Sequence, residues 1–322
     1  MMDGEAFSAY VDKAMQDGQL KFIRPVVEKE LLHYEIFAAM DGAGLLKHLV
    51  FQGGTSLRLC YGSQRFSEDL DFAGGRDFCS DSMAEIKDCV VSRIGKRFGL
   101  AVSVREPKKD KTHGLVQVNK WMLAIETSPG RADLPRQRIK LEIANVPAYT
   151  REVFPLRINY PVLEGRHQPL VVVESMDEIL ADKLVALPSS ISRRTDTGME
   201  FTPTRIRHRD IWDMSWLATQ GAVVDADMVR KKVADYGLAD FPDYLGRAIT
   251  AIPIISSGGP FRDQMARFLP QDQHAQMFGI AGYEKHFERT VLGQLSVLRD
   301  LLKKEAVRDH HASMRGKGGP EL

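Results

Sequence analysis

The chain has 322 residues, 43% apolar and 27% charged, and its 44 basic and 43 acidic side chains leave a formal net charge of +1. That is long enough for one large or two modest domains, and the composition is that of a globular chain, not a disordered or fibrous one. No run of about eighteen apolar residues exists, so no membrane-spanning helix is expected. The start, Met1-Met2-Asp3-Gly4-Glu5, is acidic and lacks an apolar segment, so no signal peptide is expected and cytoplasmic residence follows. Cys60, Cys79 and Cys89 are too few and too scattered for a disulfide frame or a zinc motif. The balanced charge neither demands nor excludes a nucleic-acid partner. Basic clusters occur at Lys108-Lys109-Asp110-Lys111, Arg193-Arg194 and Arg205-Ile206-Arg207-His208-Arg209, although such runs are more often merely solvated.

Residues 5–19 and 24–42 read as helices. In the second, Val27, Leu31, Leu32, Ile36 and Met40 recur at helical spacing, and Pro25 sits in the first turn. Leu49-Val50-Phe51 is an apolar strand that runs into the Gly53-Gly54 turn, and Thr55 opens a short helix ending near Tyr61-Gly62. Asp69-Leu70-Asp71-Phe72 reads as the next strand. Its i, i+2 alternation puts Asp69 and Asp71 on one face and Leu70 and Phe72 on the other. Paired carboxylates repel unless a cation lies between them. A divalent ion such as Mg²⁺, with oxygen ligands and bound phosphates, is the usual solution. The upstream glycine turn and helix start offer backbone N–H groups and a positive dipole end, a phosphate seat. Together these point to metal-assisted nucleotidyl or phosphoryl transfer.

Further along, 80–98 reads as an amphipathic helix, and 101–106 with 116–125 as a hairpin whose loop carries Lys108, Lys109, Lys111 and His113. Residues 137–145 alternate as a strand, with Ile139, Leu141 and Ile143 on one face and Lys140 and Glu142 on the other. If this strand neighbours the Asp69/Asp71 strand, Glu142 is a third carboxylate on the wet face; otherwise it is an ordinary exposed acid. Ser175 and Glu178 form a capping box for a helix that should stop before Pro188, with Lys183 beside its apolar stripe. Residues 188–204 read as a polar loop, either a basic lid or a plain linker. Residues 205–217 form a helix on which Asp213 either supports Asp210 or merely pairs with Arg209. The remainder reads as helices at 225–236, 240–252, 260–269 and 283–305, followed by a disordered tail in which His310-His311 alone makes no metal site.

Gly53-Gly54-Thr55-Ser56-Leu57, Arg65-Phe66-Ser67 and Asp69-Leu70-Asp71-Phe72, followed in order by Lys140/Glu142, Ala181-Asp182-Lys183-Leu184 and Arg209-Asp210, resemble the motifs of the AbiEii-type (MenT-like) nucleotidyltransferase toxins. These belong to type IV, abortive-infection toxin–antitoxin systems and to the polymerase-β-like nucleotidyltransferase superfamily. The resemblance covers about residues 45–217. It implies an α/β (α+β) fold, with a mixed-sheet nucleotidyltransferase core at 1–174 and a helical C-terminal lobe at 175–322 that completes a nucleotide cleft. It implies two Mg²⁺ (or Mn²⁺) ions on Asp69 and Asp71, with Glu142 as a further ligand, and Asp69, Asp71, Lys183 and Asp210 as catalytic residues. Gly53, Gly54, Thr55, Arg65 and Ser67 would hold the nucleotide. It further implies transfer of an NMP from an NTP to RNA, as related toxins do at the tRNA 3′ end, and a cognate antitoxin. A nucleotidyltransferase acting on a protein or small-molecule hydroxyl and a non-catalytic nucleotide-binding module stand as alternatives.

Overall fold

The computed structural model describes residues 4–16, 20, 23–107, 116–129, 135–280 and 282–316. The chain forms two compact units, Met1–Ile179 with Arg262–Ile280, and Leu180–Phe261 with Ala281–Leu322. The division at Ile179/Leu180 lies inside a helix, and residues 262–280 of the C-terminal third belong to the first unit. The Phe66 N–H donates to the Phe268 carbonyl at 2.8 Å, and Phe268 joins the first unit's core.

The first unit opens with helices α1 (Gly4–Ala14) and α2 (Arg24–Gly42). Strand β1 (Val50–Gln52) leads into α3 (Gly53–Ser56), which continues as a helical turn to Tyr61. Then come β2 (Leu70–Ala73), α4 (Ile86–Phe98), β3 (Val102–Arg105), β4 (Val118–Ile125), β5 (Gln137–Ala144), β6 (Glu152–Pro155) and β7 (Leu170–Val173). The strands make one seven-stranded sheet in the order β3-β4-β5-β2-β1-β7-β6. Pairs β2–β5 and β1–β7 are parallel, and the other pairs are antiparallel. This is the mixed α/β fold that the sequence implied. The expected hairpin is β3–β4; Lys108, Lys109, Lys111 and His113 of its connection lie outside the described residues.

Aromatic packing decides which face of the sheet is wet. Phe37 of α2 meets Phe51 of β1 at 4.9 Å and Phe72 of β2 at 5.9 Å between ring centroids, and Phe51 and Phe72 lie 5.2 Å apart. All three rings are almost wholly buried. Because strand side chains alternate, Gln52 and Asp71, the residues adjoining Phe51 and Phe72, take the opposite face.

The second unit takes most of α5 (Met176–Ile191), then the hairpin β8 (Ser192–Thr195) and β9 (Gly198–Phe201). It continues with α6 (His208–Thr219), α7 (Ala226–Asp235), α8 (Phe241–Ser256) and the start of α9 (Gly259–Phe268). Helix α10 (Gln271–Gly279), which periodicity did not reveal, belongs to the first unit. Helix α11 (Glu284–Gly316) closes the second, packing on α6, α7 and α8. Its backbone runs through His310-His311. Among the described residues no helix is long and apolar enough to cross a membrane.

Three local expectations change. Helix α5 does not stop before Pro188 but contains it. Proline removes one N–H from the helical ladder, and the Ser189 and Ser190 hydroxyls donate to the Val185 and Leu187 carbonyls at 2.8 and 2.7 Å around it. Pro253 likewise lies inside α8 and does not end it. The loop expected over 188–204 is largely the β8–β9 hairpin, with Arg193 paired to Glu200 at 3.0 Å. Only half of the capping box forms. The Ser175 hydroxyl accepts from the Glu178 N–H at 3.2 Å, but the Glu178 carboxylate accepts from the Tyr149 and Thr150 N–H groups.

Phe72→Ala removes the ring shared by β2, β1 and α2. It should cost about 3–5 kcal/mol of unfolding free energy, read from urea denaturation.

Candidate active site

Strand register assembles the wet face. Gln52 of β1 lies opposite Asp71 of β2, Asp71 lies beside Glu142 of β5, and Glu142 lies opposite Lys120 of β4. These four side chains form one rung across four strands. Asp69, just before β2, and Lys140 of β5 make the next. The adjacency that the sequence left open for Glu142 is therefore realised.

Charge on this face is mixed. The Lys140 ammonium lies 3.2 Å from Asp69 Oδ2 and 3.5 Å from Glu142 Oε1, and the Lys120 ammonium lies 2.8 Å from Glu142 Oε1. Burial pushes the Glu142 carboxyl up, but Lys120 and Lys140 more than offset it and hold the group below the usual carboxylate range. Burial opposes the charge on Lys140, and Asp69 and Glu142 outweigh that, so its ammonium is held more firmly than usual.

Asp69 and Asp71 are reached from the glycine turn. Gly53 has φ +79°, a left-handed conformation that costs other residues roughly 1–2 kcal/mol. A Cβ there would stand 2.9 Å from Asp71 Oδ2, so only glycine lets the carboxylate lie against the turn. No side chain caps the start of α3. The Thr55 hydroxyl does not face outward; it is buried and donates to the Asp69 carbonyl. Arg65 is also buried and donates to the Phe66 carbonyl at 2.6 Å, which ties down the turn before β2. Ser67 is buried beside it. The Thr55 hydroxyl and the Arg65 guanidinium thus each donate to a backbone carbonyl on the approach to β2.

Helix α2 supplies supports that motif reading missed. The His33 Nε2–H donates to the Glu68 carbonyl at 3.1 Å, and Lys29 pairs with the Glu68 carboxylate. The peptide carbonyls just before and at Asp69 are thus held from two sides, by His33 and by Thr55. Burial pushes the His33 imidazole down to about 4, against the smaller opposing influence of Glu30, so it is neutral at pH 7. A lone histidine on an apolar helix face gives no signal in a sequence beyond ordinary core packing.

An oxygen-only pair such as Asp69 and Asp71 fits a hard divalent cation. Among the described residues, no group of three His, Cys, Asp or Glu side chains is placed to hold one.

The second unit carries its own charged cluster. The Lys183 ammonium of α5 lies 2.7 Å from Asp210 Oδ1 and 3.0 Å from Asp213 Oδ2 on α6, and Arg207 Nε donates to Asp210 Oδ2 at 2.7 Å. Lys183, Asp210 and Asp213 are all buried. Burial would raise the Asp210 carboxyl, but Arg207 and Lys183 drive it well below the usual range. Asp213 supports Lys183 from the next turn of α6.

Two outcomes follow. The folded His33 pKa lies below its unfolded value of 6.5, so its contribution is complete above pH 6.5 and is lost as pH falls towards 4. Unfolding free energy should drop by about 3 kcal/mol across that window, and His33→Gln should flatten the slope there. Lys183→Met leaves two carboxylates buried without their ammonium, and thermal denaturation should show about 3–5 kcal/mol of destabilisation.

Comparison with known proteins identifies the family and the fold. A family model described as "Nucleotidyl transferase AbiEii toxin, Type IV TA system" matches residues 36–320. No curated protein matches. Among solved structures, MenT4, a nucleotidyltransferase toxin from Mycobacterium tuberculosis H37Rv, is similar with a TM-score of 0.53 at 16% identity, over 90% of this chain and 89% of that one. JHP933 from Helicobacter pylori is similar with a TM-score of 0.45 at 18% identity, over 89% and 97%. At such identities the MenT4 likeness speaks for the fold, and the family match extends over most of the sequence. This chain belongs to the AbiEii family of nucleotidyltransferase toxins of type IV toxin–antitoxin systems.

Proposed function

We propose that the chain transfers a nucleoside monophosphate from an NTP to an RNA acceptor, the 3′ end of tRNA, in a Mg²⁺-dependent reaction that blocks translation. Family membership already gives a nucleotidyltransferase toxin with an NTP substrate and an antitoxin partner. The finer reading is carried by the Asp69/Asp71 face, with Asp71 lying against the uncapped glycine turn at Gly53. Carboxylates beside free backbone N–H groups suit a metal–triphosphate complex.

In this reading Asp69 and Asp71 would hold Mg²⁺ (or Mn²⁺), which would supply charge neutralisation for the triphosphate during in-line displacement. The N–H groups of Gly53 and Gly54 seat phosphate oxygens, while Thr55, Arg65 and Ser67 fix the turn. The acceptor hydroxyl oxygen bonds to the α-phosphorus, the bond to the β-phosphate oxygen breaks, and pyrophosphate leaves. A carboxylate of the same face takes the hydroxyl proton. Lys183 and Asp210 of the second unit are proposed as further catalytic residues, the carboxylate fixing the ammonium. We place the junction between the nucleotidyltransferase core and the helical lobe at 174/175, and the site of action in the cytoplasm, where NTPs and tRNA meet.

The RNA acceptor draws support from Arg193 and Arg194 on the β8–β9 hairpin, whose side chains are 58% and 56% exposed. Their partners, Glu200, Asp240 and Asp243, are also exposed. Such solvent-facing pairs contribute little and exchange readily for backbone phosphates.

The test is incubation with total tRNA, Mg²⁺ and each α-labelled NTP in turn, beside Asp69→Asn. The Asp69 side chain is 28% exposed, so this variant should fold. Label in RNA with the unaltered chain and a loss of at least about a hundredfold in Asp69→Asn is expected. Label on protein or a small molecule instead would overturn the RNA acceptor, and undiminished transfer by Asp69→Asn would overturn the mechanism.

A further inference from the structure

The wet face carries a cation of its own, and the proposed mechanism does not use it. Lys140 Nζ stands 3.2 Å from Asp69 Oδ2 and 3.5 Å from Glu142 Oε1. The charge of Asp71 also acts on it. The Lys140 side chain is 31% exposed, so solvent and a bound ligand can reach it. Glu142 Oε1 likewise has Lys120 at 2.8 Å and Lys140 at 3.5 Å. The register requires some such cation: Asp71 and Glu142 are direct cross-strand neighbours, and like charges there are destabilising unless compensated.

We infer that Lys140 is a resident counter-ion of the aspartate pair, held in place by Glu142, which a divalent cation displaces from Asp69 only when a nucleotide's triphosphate arrives to receive the ammonium. This inference rests on the proposed metal–nucleotide reading of the same face. It makes metal binding conditional on nucleotide binding. A bare divalent ion competes with the ammonium for Asp69 and leaves the lysine without a partner there. A metal–triphosphate complex supplies anionic oxygens to which Lys140 turns. The lysine thus serves in turn as a placeholder for the metal and as a ligand for phosphate. No bond is made or broken in the exchange; one ion pair replaces another.

Mn²⁺ affinity, measured by the resonance of the free ion, tests this with and without an NTP analogue carrying a methylene group between its α- and β-phosphorus. In the unaltered chain the analogue should tighten Mn²⁺ binding strongly. Lys140→Met should tighten Mn²⁺ binding in the absence of nucleotide by about fivefold or more, since an opposing unit charge beside the ligand is gone. The same variant should weaken the metal-free analogue and shrink the coupling between the two ligands. Lys140→Arg, which keeps the charge, should not tighten Mn²⁺. A lysine that merely supported the fold would produce no gain of metal affinity, and thermal denaturation checks that each variant is folded. Unchanged or weaker Mn²⁺ binding in folded Lys140→Met overturns the inference. Asp69→Asn separates the two readings. If it abolishes Mn²⁺ binding while Lys140→Met changes nothing, only the counter-ion role fails. If Asp69→Asn binds Mn²⁺ as the unaltered chain does, the metal does not use this face, and both readings fall.

Discussion

The molecule depends on the parallel pairing of β2 with β5, which sets two acids side by side. Asp71 and Glu142 are cross-strand neighbours, and Asp69 precedes them on the same face. Such a concentration of negative charge opposes folding. The sheet tolerates it because β5 and β4 bring Lys140 and Lys120 onto the same face, and because the opposite face is packed by Phe37, Phe51 and Phe72. Apolar burial on one side stabilises a charge arrangement on the other that would not persist alone.

The same arrangement explains why residues without catalytic chemistry surround the aspartates. His33 and Thr55 hold the carbonyls of Glu68 and Asp69, so the entry to β2 is fixed by a helix and by the glycine turn. Gly53 contributes through absence: its missing side chain and positive φ let Asp71 approach. Preorganisation of this kind places carboxylates before any ligand arrives. The second unit solves a similar problem differently. Lys183, Asp210 and Asp213 bury their charges together, so these groups carry structural weight as well as any chemical role. Substitutions at Asp69, which is partly exposed, separate function from folding more cleanly than substitutions at Lys183.

Much of the site was legible. The order of strand, Gly-Gly-Thr turn, helix and Asp-x-Asp strand is a local pattern, and period-two alternation alone put Asp69 and Asp71 on a common face. The family resemblance on those residues was met by the match over residues 36–320. Helix ends were read less well. Pro188 and Pro253 suggested breaks that the packing of α5 and α8 overrides, and the 188–204 stretch hid a hairpin behind polar composition. The carbonyl partners of the Thr55 hydroxyl and the Arg65 guanidinium were not legible, because a sequence shows which groups a residue carries but not where they point.

The sequence by itself determined the fold class, the acidic pair, the glycine turn and the family, because each rests on local periodicity, local backbone conformation or a contiguous motif. Only the tertiary structure decided that β5 lies beside β2, that Lys140 and Lys120 join the carboxylates, that His33 braces Glu68, and that Lys183 is enclosed by Asp210 and Asp213. Those are contacts between segments distant along the chain. Strand register and helix docking create them, and both are set by the burial of the whole core, not by any stretch of residues read alone.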